Sequence, residues 1–265
     1  MNPINRAAIH VLVTDAIGTI ELSNPARRNA VSMAMWSELA SAIEALTSDG
    51  RVKAIMLRGA GHEVFCAGAD MSEFDGKRSN AEQAAAYSEL AERAYGALER
   101  CSKPTVAMIE GPCIGAGLAL AVCCDIRVGG ARSIFSVPAA RIGLGYSCEN
   151  VARLANAIGQ SQARELLLTA RKLYVDEALA IGLVHYKSPG TEKDEAFTRL
   201  MESLVNNSPL SMAAAKLALR AFCRRDSPEL LKDAREAVAL CSDSKEYAAR
   251  RQGSIAGRLT ASPAS

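Results

Sequence analysis

Apolar residues along the first two thirds of the chain fall into short runs and helical stripes that succeed one another in a repeating order. The stretch "AIHVLVTDAIGTIELS", residues 8–23, is rich in β-branched side chains and interrupted at Asp15 and Gly18, so it predicts two strands. In "VSMAMWSELASAIEAL", residues 31–46, the apolar positions take helical spacing, and the Ser48-Asp49-Gly50 turn stops the helix. A strand at 52–60, a polar loop, a helix over roughly 81–101 and a strand at 105–111 follow. Two short strands around Gly129-Gly130 occupy 125–138, and "ENVARLANAIG" starts another helix. Strands separated by helical returns pair in parallel and coil right-handedly, which predicts an α/β core.

From about Glu192 onward the pattern is helical only. Ser208-Pro209 and Ser227-Pro228 each place a capping residue before a proline at the first helical position. The stripe "MAAAKLALRAF" must bury a face, and a neighbouring subunit commonly supplies that surface. The expected organisation is a core over 1–191 and a helical oligomerisation region over 192–265.

Composition narrows the function classes. With 31 basic and 29 acidic residues the net charge is +2, and aromatics make up 5%, so neither a nucleic-acid surface nor a base-stacking platform is expected. The 8 cysteines show no CxxC spacing and read as reduced core residues of a cytoplasmic protein. Three histidines without HExxH or clustered spacing give no metal site. The longest uncharged stretch, 111–124, is too short to span a bilayer, and the N-terminus has no secretory pattern.

The densest chemistry lies in "GPCIGAGLALAVCCDI", 111–126, where a glycine turn enters an apolar helix. Such a turn presents unpaired N–H groups to an anion. It is not a dinucleotide fingerprint, because Leu120 stands where a small residue is needed, and it is not a P-loop, because Gly-Lys-Ser/Thr is absent. A second small-residue loop, "VFCAGADM" at 64–71, follows the preceding strand in the same relation. If the two strands are neighbours, the N–H groups of Ala67 and Ala116 meet at matching strand ends and can point at one oxygen. Asp70, with Glu73 three residues on, reads as a helix cap.

Together "FCAGADM", "GPCIGAGLALAVCCDIRV" and "FSVPAARIGLG" resemble the crotonase family, the enoyl-CoA hydratase/isomerase group, and the similarity runs along almost the whole chain through "YVDEALAIGLVHY" and the helical tail. The resemblance implies a right-handed spiral of ββα units, a C-terminal helical region that builds trimers or hexamers, and an acyl-CoA thioester substrate with no separate cofactor. It places Ala67, Gly68, Ala69, Asp70 and Ala116 along the thioester, with the Ala67 and Ala116 N–H groups as an oxyanion hole for an enolate. Arg27 and Arg28, a basic pair after the first strands, are expected at the nucleotide phosphates.

The chain departs from the family where hydratases carry two glutamates, since Ala119 and Ala139 occupy the matching positions. An isomerase-type acid aligns with Ser147. Ordinary two-glutamate hydration is therefore expected to be weak or absent. Glu149, in "GYSCEN", is the expected proton-transfer group, partly buried among Leu144, Tyr146 and Val151, with Tyr146 as a hydrogen-bond donor. Two other readings remain. One is a non-catalytic acyl-CoA-binding protein. The other is a serine hydrolase built on Ser147, Asp176 and His185, one glycine short of a nucleophile elbow.

Overall fold

The computed structural model describes residues 7–73, 81–188, 194–223 and 227–249. The chain divides into two compact units, Met1–Val205 and Asn206–Ser265. The first opens on a hairpin in which β1 (Ala8–Thr14) and β2 (Ile17–Ser23) pair antiparallel. Asp15 and Ala16 make the two-residue turn with φ of 49° and 66°, the left-handed pair that a tight hairpin needs. Gly18, expected at the break, lies inside β2 instead, where a side chain would collide with Leu46.

Helix α1 (Met33–Ser48) is started by Ser32, whose Oγ accepts from the Met35 N–H at 3.3 Å. It buries Met35, Trp36, Leu39, Ile43 and Leu46 on one face. The chain then continues through β3 (Ala54–Gly59), α2 (Ala81–Arg100), β4 (Thr105–Ile109), β5 (Pro112–Ile114) and α3 (Ala116–Cys123). After these come β6 (Ile126–Gly130), β7 (Ile134–Ser136), α4 (Cys148–Thr169), β8 (Leu173–Tyr174), α5 (Val175–Ala180), β9 (Tyr186–Ser188) and α6 (Glu195–Asn206). Gly129 and Gly130 belong to β6, and the turn expected at them falls on Ala131-Arg132.

The large sheet has the order β1-β2-β3-β4-β6-β9, parallel from β2 onward, and the small one the order β5-β7-β8. Two rounds, β4-β5-α3 and β6-β7-α4, repeat a strand of the large sheet, a strand of the small one and a helix. In the preceding round the second layer is reduced to single bridges, Val31 with Ala69 and Cys66 with Cys113. This is the mixed α/β arrangement that the sequence predicts. Alternation in β3 sends Ile55 and Leu57 to the main core and Ala54 and Met56 to the other face, which Phe197 and Met201 of α6 cover. In the second unit α7 (Pro209–Cys223) and α8 (Pro228–Ser242) pack on each other, and Ser227 caps α8 as expected.

Glu110, directly after β4, is 7% exposed, and its Oε1 has no hydrogen-bond partner among the described residues. Burial raises its carboxyl above the ordinary 4.5, and Arg132 only partly opposes this. A raised acid binds its proton more tightly folded than unfolded, so the folded state loses stability as pH climbs past that value. Glu110→Gln is expected to stabilise the chain by about 1 kcal/mol near pH 7, and by less at about pH 4. Urea denaturation at both pH values checks this; a gain that is equal or larger at the acid end refutes it.

Candidate active site

Two strand-end loops meet at the same edge of the fold. The N–H of Cys66 donates to the Pro112 carbonyl at 3.1 Å, and that of Ile114 donates to the Cys66 carbonyl at 2.9 Å, which zips the loop after β3 to β5. Only glycine fits where they touch. A Cβ on Gly117 would stand 2.7 Å from both Cβ and O of Cys66, and one on Gly68, at φ 110°, would stand 3.2 Å from the Ile114 oxygen. These approaches bring the Gly68 backbone beside the Ala116 nitrogen, 3.8 Å from the position of that added Cβ.

Ala116 is the first residue of α3, so its N–H has no intrahelical acceptor, and the Gly115 cap offers no side chain to it. The hydroxyl of Tyr146 donates to the Gly115 carbonyl at 3.2 Å. That carbonyl and the Ala116 N–H belong to one peptide, so the tyrosine fixes the plane of the donor. The Ala67 N–H, by contrast, donates to the Arg28 carbonyl at 3.1 Å. Arg28 presents that carbonyl from a left-handed conformation, φ 54° and ψ 46°.

Above the loops lies a cavity of about 210 Å³ lined by Ala67, Gly68, Ala69, Ala116, Tyr146 and Glu149, among others. Asp70 does not line it. Its Oδ1 accepts from the N–H and hydroxyl of Ser72 and its Oδ2 from Asn24 at 3.3 Å. Burial raises the Asp70 carboxyl, but these bonds and Arg27 outweigh it and hold the group low. Asp70 thus stands before the short helical turn Met71–Glu73 and accepts from its backbone as the cap reading expects, whereas Glu73 does not close the box and accepts from the Met33 N–H at 2.8 Å. Arg27 and Arg28 are exposed and lie outside the cavity wall.

Glu149 is exposed, as is Leu144, so the expected partial burial is not found; its position in the first turn of α4 places it at an open wall. Of the two positions where glutamate is missing, Ala139 lines the cavity while Ala119 is 1% exposed and does not. Burial pushes the Cys66 thiol up to about 12, so it is no nucleophile at neutral pH. The hydrolase constellation does not assemble. Ser147 Oγ caps α4, accepting from the Asn150 N–H at 3.2 Å, Asp176 pairs with Lys187, and His185 Nδ1 accepts from the Arg127 N–H at 3.1 Å.

Sequence reasoning missed the wall contributed by α2. Tyr87, Ala91 and Tyr95 repeat every four residues and line the cavity with Trp36, whose Nε1 donates to the Tyr87 hydroxyl at 2.7 Å. The stripe was readable in "YSELAERAY", but nothing in it tells a cavity wall from core. Glu92, on the same wall, is gripped by Arg153 through two bonds of 2.9 and 2.8 Å. Among the described residues, no cluster of His, Cys, Asp and Glu has the makings of a metal site, and no helix is long and apolar enough to cross a membrane.

Spiral and paired loops together define a crotonase-type fold, and comparison with known proteins agrees. Residues 13–254 match the enoyl-CoA hydratase/isomerase family, and the chain belongs to it. It is 28% identical to the short-chain-enoyl-CoA hydratase of Clostridium acetobutylicum, over 87% of both chains. It is 37% identical to the probable enoyl-CoA hydratase echA6 of Mycobacterium tuberculosis, over 67% of this chain and 69% of that one. A solved enoyl-CoA hydratase/carnithine racemase from Magnetospirillum magneticum superposes with a TM-score of 0.83 at 34% identity, covering 97% of this chain and 94% of the other.

Because the clash at Gly117 involves a backbone oxygen, no rotamer change relieves it. Gly117→Ala is expected to cost at least about 1 kcal/mol net, the overpacking exceeding the helix-propensity gain of similar size. Thermal denaturation reads this as a lowered Tm, and an unchanged Tm would mean that the loops do not depend on that approach.

Proposed function

We propose that the chain is an acyl-CoA thioester enzyme that stabilises an enolate at the Ala116 N–H, with Ala67 as the second donor and Glu149 as the proton carrier. The observation that carries the reading is the unspent Ala116 donor, oriented by Tyr146, at the mouth of a cavity whose wall includes one uncommitted carboxylate. Charge that moves onto a thioester oxygen during proton removal from the neighbouring carbon is stabilised there by a preorganised dipole. Ala67 joins by exchanging or sharing its bond to the Arg28 carbonyl. Gly68 and Ala69 supply a wall without side-chain bulk, and Asp70 supports it from behind. The hydratase and isomerase names of the relatives support this substrate class.

Glu149 takes the proton by elimination. Two carboxylates line the cavity; Glu92 is committed to Arg153, while Glu149 has no hydrogen-bond or ion-pair partner among the described residues. Ala139 can transfer no proton, so hydration of a crotonyl-type thioester runs slowly, short of about 10²–10⁴ in rate per missing group. Arg27 and Arg28 are proposed at the nucleotide phosphates, where two exposed guanidinium groups are available. Eight unpaired cysteines support a cytoplasmic setting. Residues from 192 on are proposed to build a trimer or hexamer, using exposed apolar side chains such as Leu219, Phe222 and Leu240. Sedimentation of a stable monomer would refute that assembly.

Exchange of the α-proton of a saturated acyl-CoA with deuterium, followed by mass spectrometry, tests the reading. Wild type is expected to catalyse exchange, and Glu149→Gln to slow it by about 10²-fold with thioester affinity nearly unchanged. Full exchange in the variant removes Glu149 from the role. Saturable binding with no exchange at all would instead mark a non-catalytic acyl-CoA-binding protein, a reading favoured by Ala119 and Ala139 alone.

A further inference from the structure

One wall of the cavity carries an ion cluster whose stoichiometry bears on the substrate. Arg153 is the centre, its side chain 11% exposed, on α4, and it faces Glu92 and Glu99 on α2. A guanidinium has five N–H donors. Nε donates to Glu99 Oε1 at 2.9 Å; Nη1 donates to Glu92 Oε1 and Asn150 Oδ1, both at 2.9 Å; Nη2 donates to Glu92 Oε2 at 2.8 Å and Glu99 Oε2 at 3.2 Å. All five are spent, and the cation also sits 5.0 Å over the Tyr95 ring.

The cluster holds one positive and two negative charges, so it carries net negative charge toward a cavity that Glu92 and Glu149 both line. Among the described residues, none of the side chains that line the cavity is Lys, Arg or His. An acyl group ending in a carboxylate would therefore meet no cation among the described lining residues, one clamped carboxylate, Glu92, and one exposed carboxylate, Glu149; like charges within several ångströms near a protein surface repel by enough to change affinity about tenfold or more. Apolar walls from Ala91, Val137, Ile142 and Leu144 suit a hydrocarbon acyl group instead.

We propose that Glu92, clamped by Arg153, is a specificity residue that restricts the site to thioesters of neutral acyl groups and rejects those of dicarboxylic acids. The proposal rests on the acyl-CoA reading above.

The test is calorimetric binding of a matched pair, pentanoyl-CoA and glutaryl-CoA, to the purified full chain. Wild type is expected to bind pentanoyl-CoA at least about tenfold more tightly. Glu92→Gln, which keeps the shape and removes the charge, is expected to narrow that ratio severalfold. Equal affinities in wild type, or a preference for glutaryl-CoA, overturn the charge argument, and this comparison needs no variant. A ratio unchanged in a folded Glu92→Gln overturns the role of Glu92. Should neither thioester bind more tightly than free coenzyme A, the acyl-CoA reading itself fails, and the specificity claim with it.

Discussion

The contact between Gly117 and Cys66 is the constraint on which the site depends. Two backbones approach to a distance that no Cβ can occupy, and the bonds between Cys66, Pro112 and Ile114 hold them there. Everything functional is downstream of that approach. The β3 and β4 strands set the loops side by side, the glycines let them close, and the first N–H of α3 is left facing the space between them. A packed interior tolerates little dimensional error, so a methyl group at this point would be felt through both layers.

Around that contact the chain arranges its polar groups in two distinct ways. Asn24, Asn29 and Asp70 form a closed network beneath the loops, with Asn29 donating to the Ala60 and Val64 carbonyls at 2.9 and 2.7 Å. It holds the Arg27-Arg28 turn against the first loop, and so decides where the Arg28 carbonyl points. On the cavity side the pattern is different: Tyr146 and Tyr95 bond to the carbonyls of Gly115 and Ala116, burial raises both phenols above their usual range, and they act as fixed donors rather than as acids. The corner around Gly115 and Ala116 is thus polar at its backbone and aromatic at its side chains, while the carboxylates Glu92 and Glu149 stand on other parts of the wall.

Much of the fold was legible because it is written in short-range patterns. β-Branched runs, helical stripes, Ser227 as a cap and the prolines at helix starts all survive in the structure. Errors came where tertiary packing decides the role of glycine: Gly18 and Gly129-Gly130 look like turn residues and sit in strands because neighbouring groups need their space. The meeting of the two loops was legible on the condition that their strands are neighbours, as β3 and β4 are. The bond from Ala67 to Arg28 and the grip of Arg153 on Glu92 and Glu99 were not, because they join residues tens of positions apart and leave no periodic trace. Glu149 was found as a position, but its exposure was not, because solvent access depends on how the loop around Leu144 lies.

One property of the α2–α4 pairing reaches beyond charge. The two helices that wall the cavity are joined by one guanidinium, on α4, whose two edges both grip carboxylates of α2. Apolar side chains adapt to trimming by sliding, whereas a fork with all five donors engaged takes a new partner only by giving one up. Shortening Ile142 or Leu144, which line the cavity and take no part in the fork, would enlarge it without touching the tie between the helices.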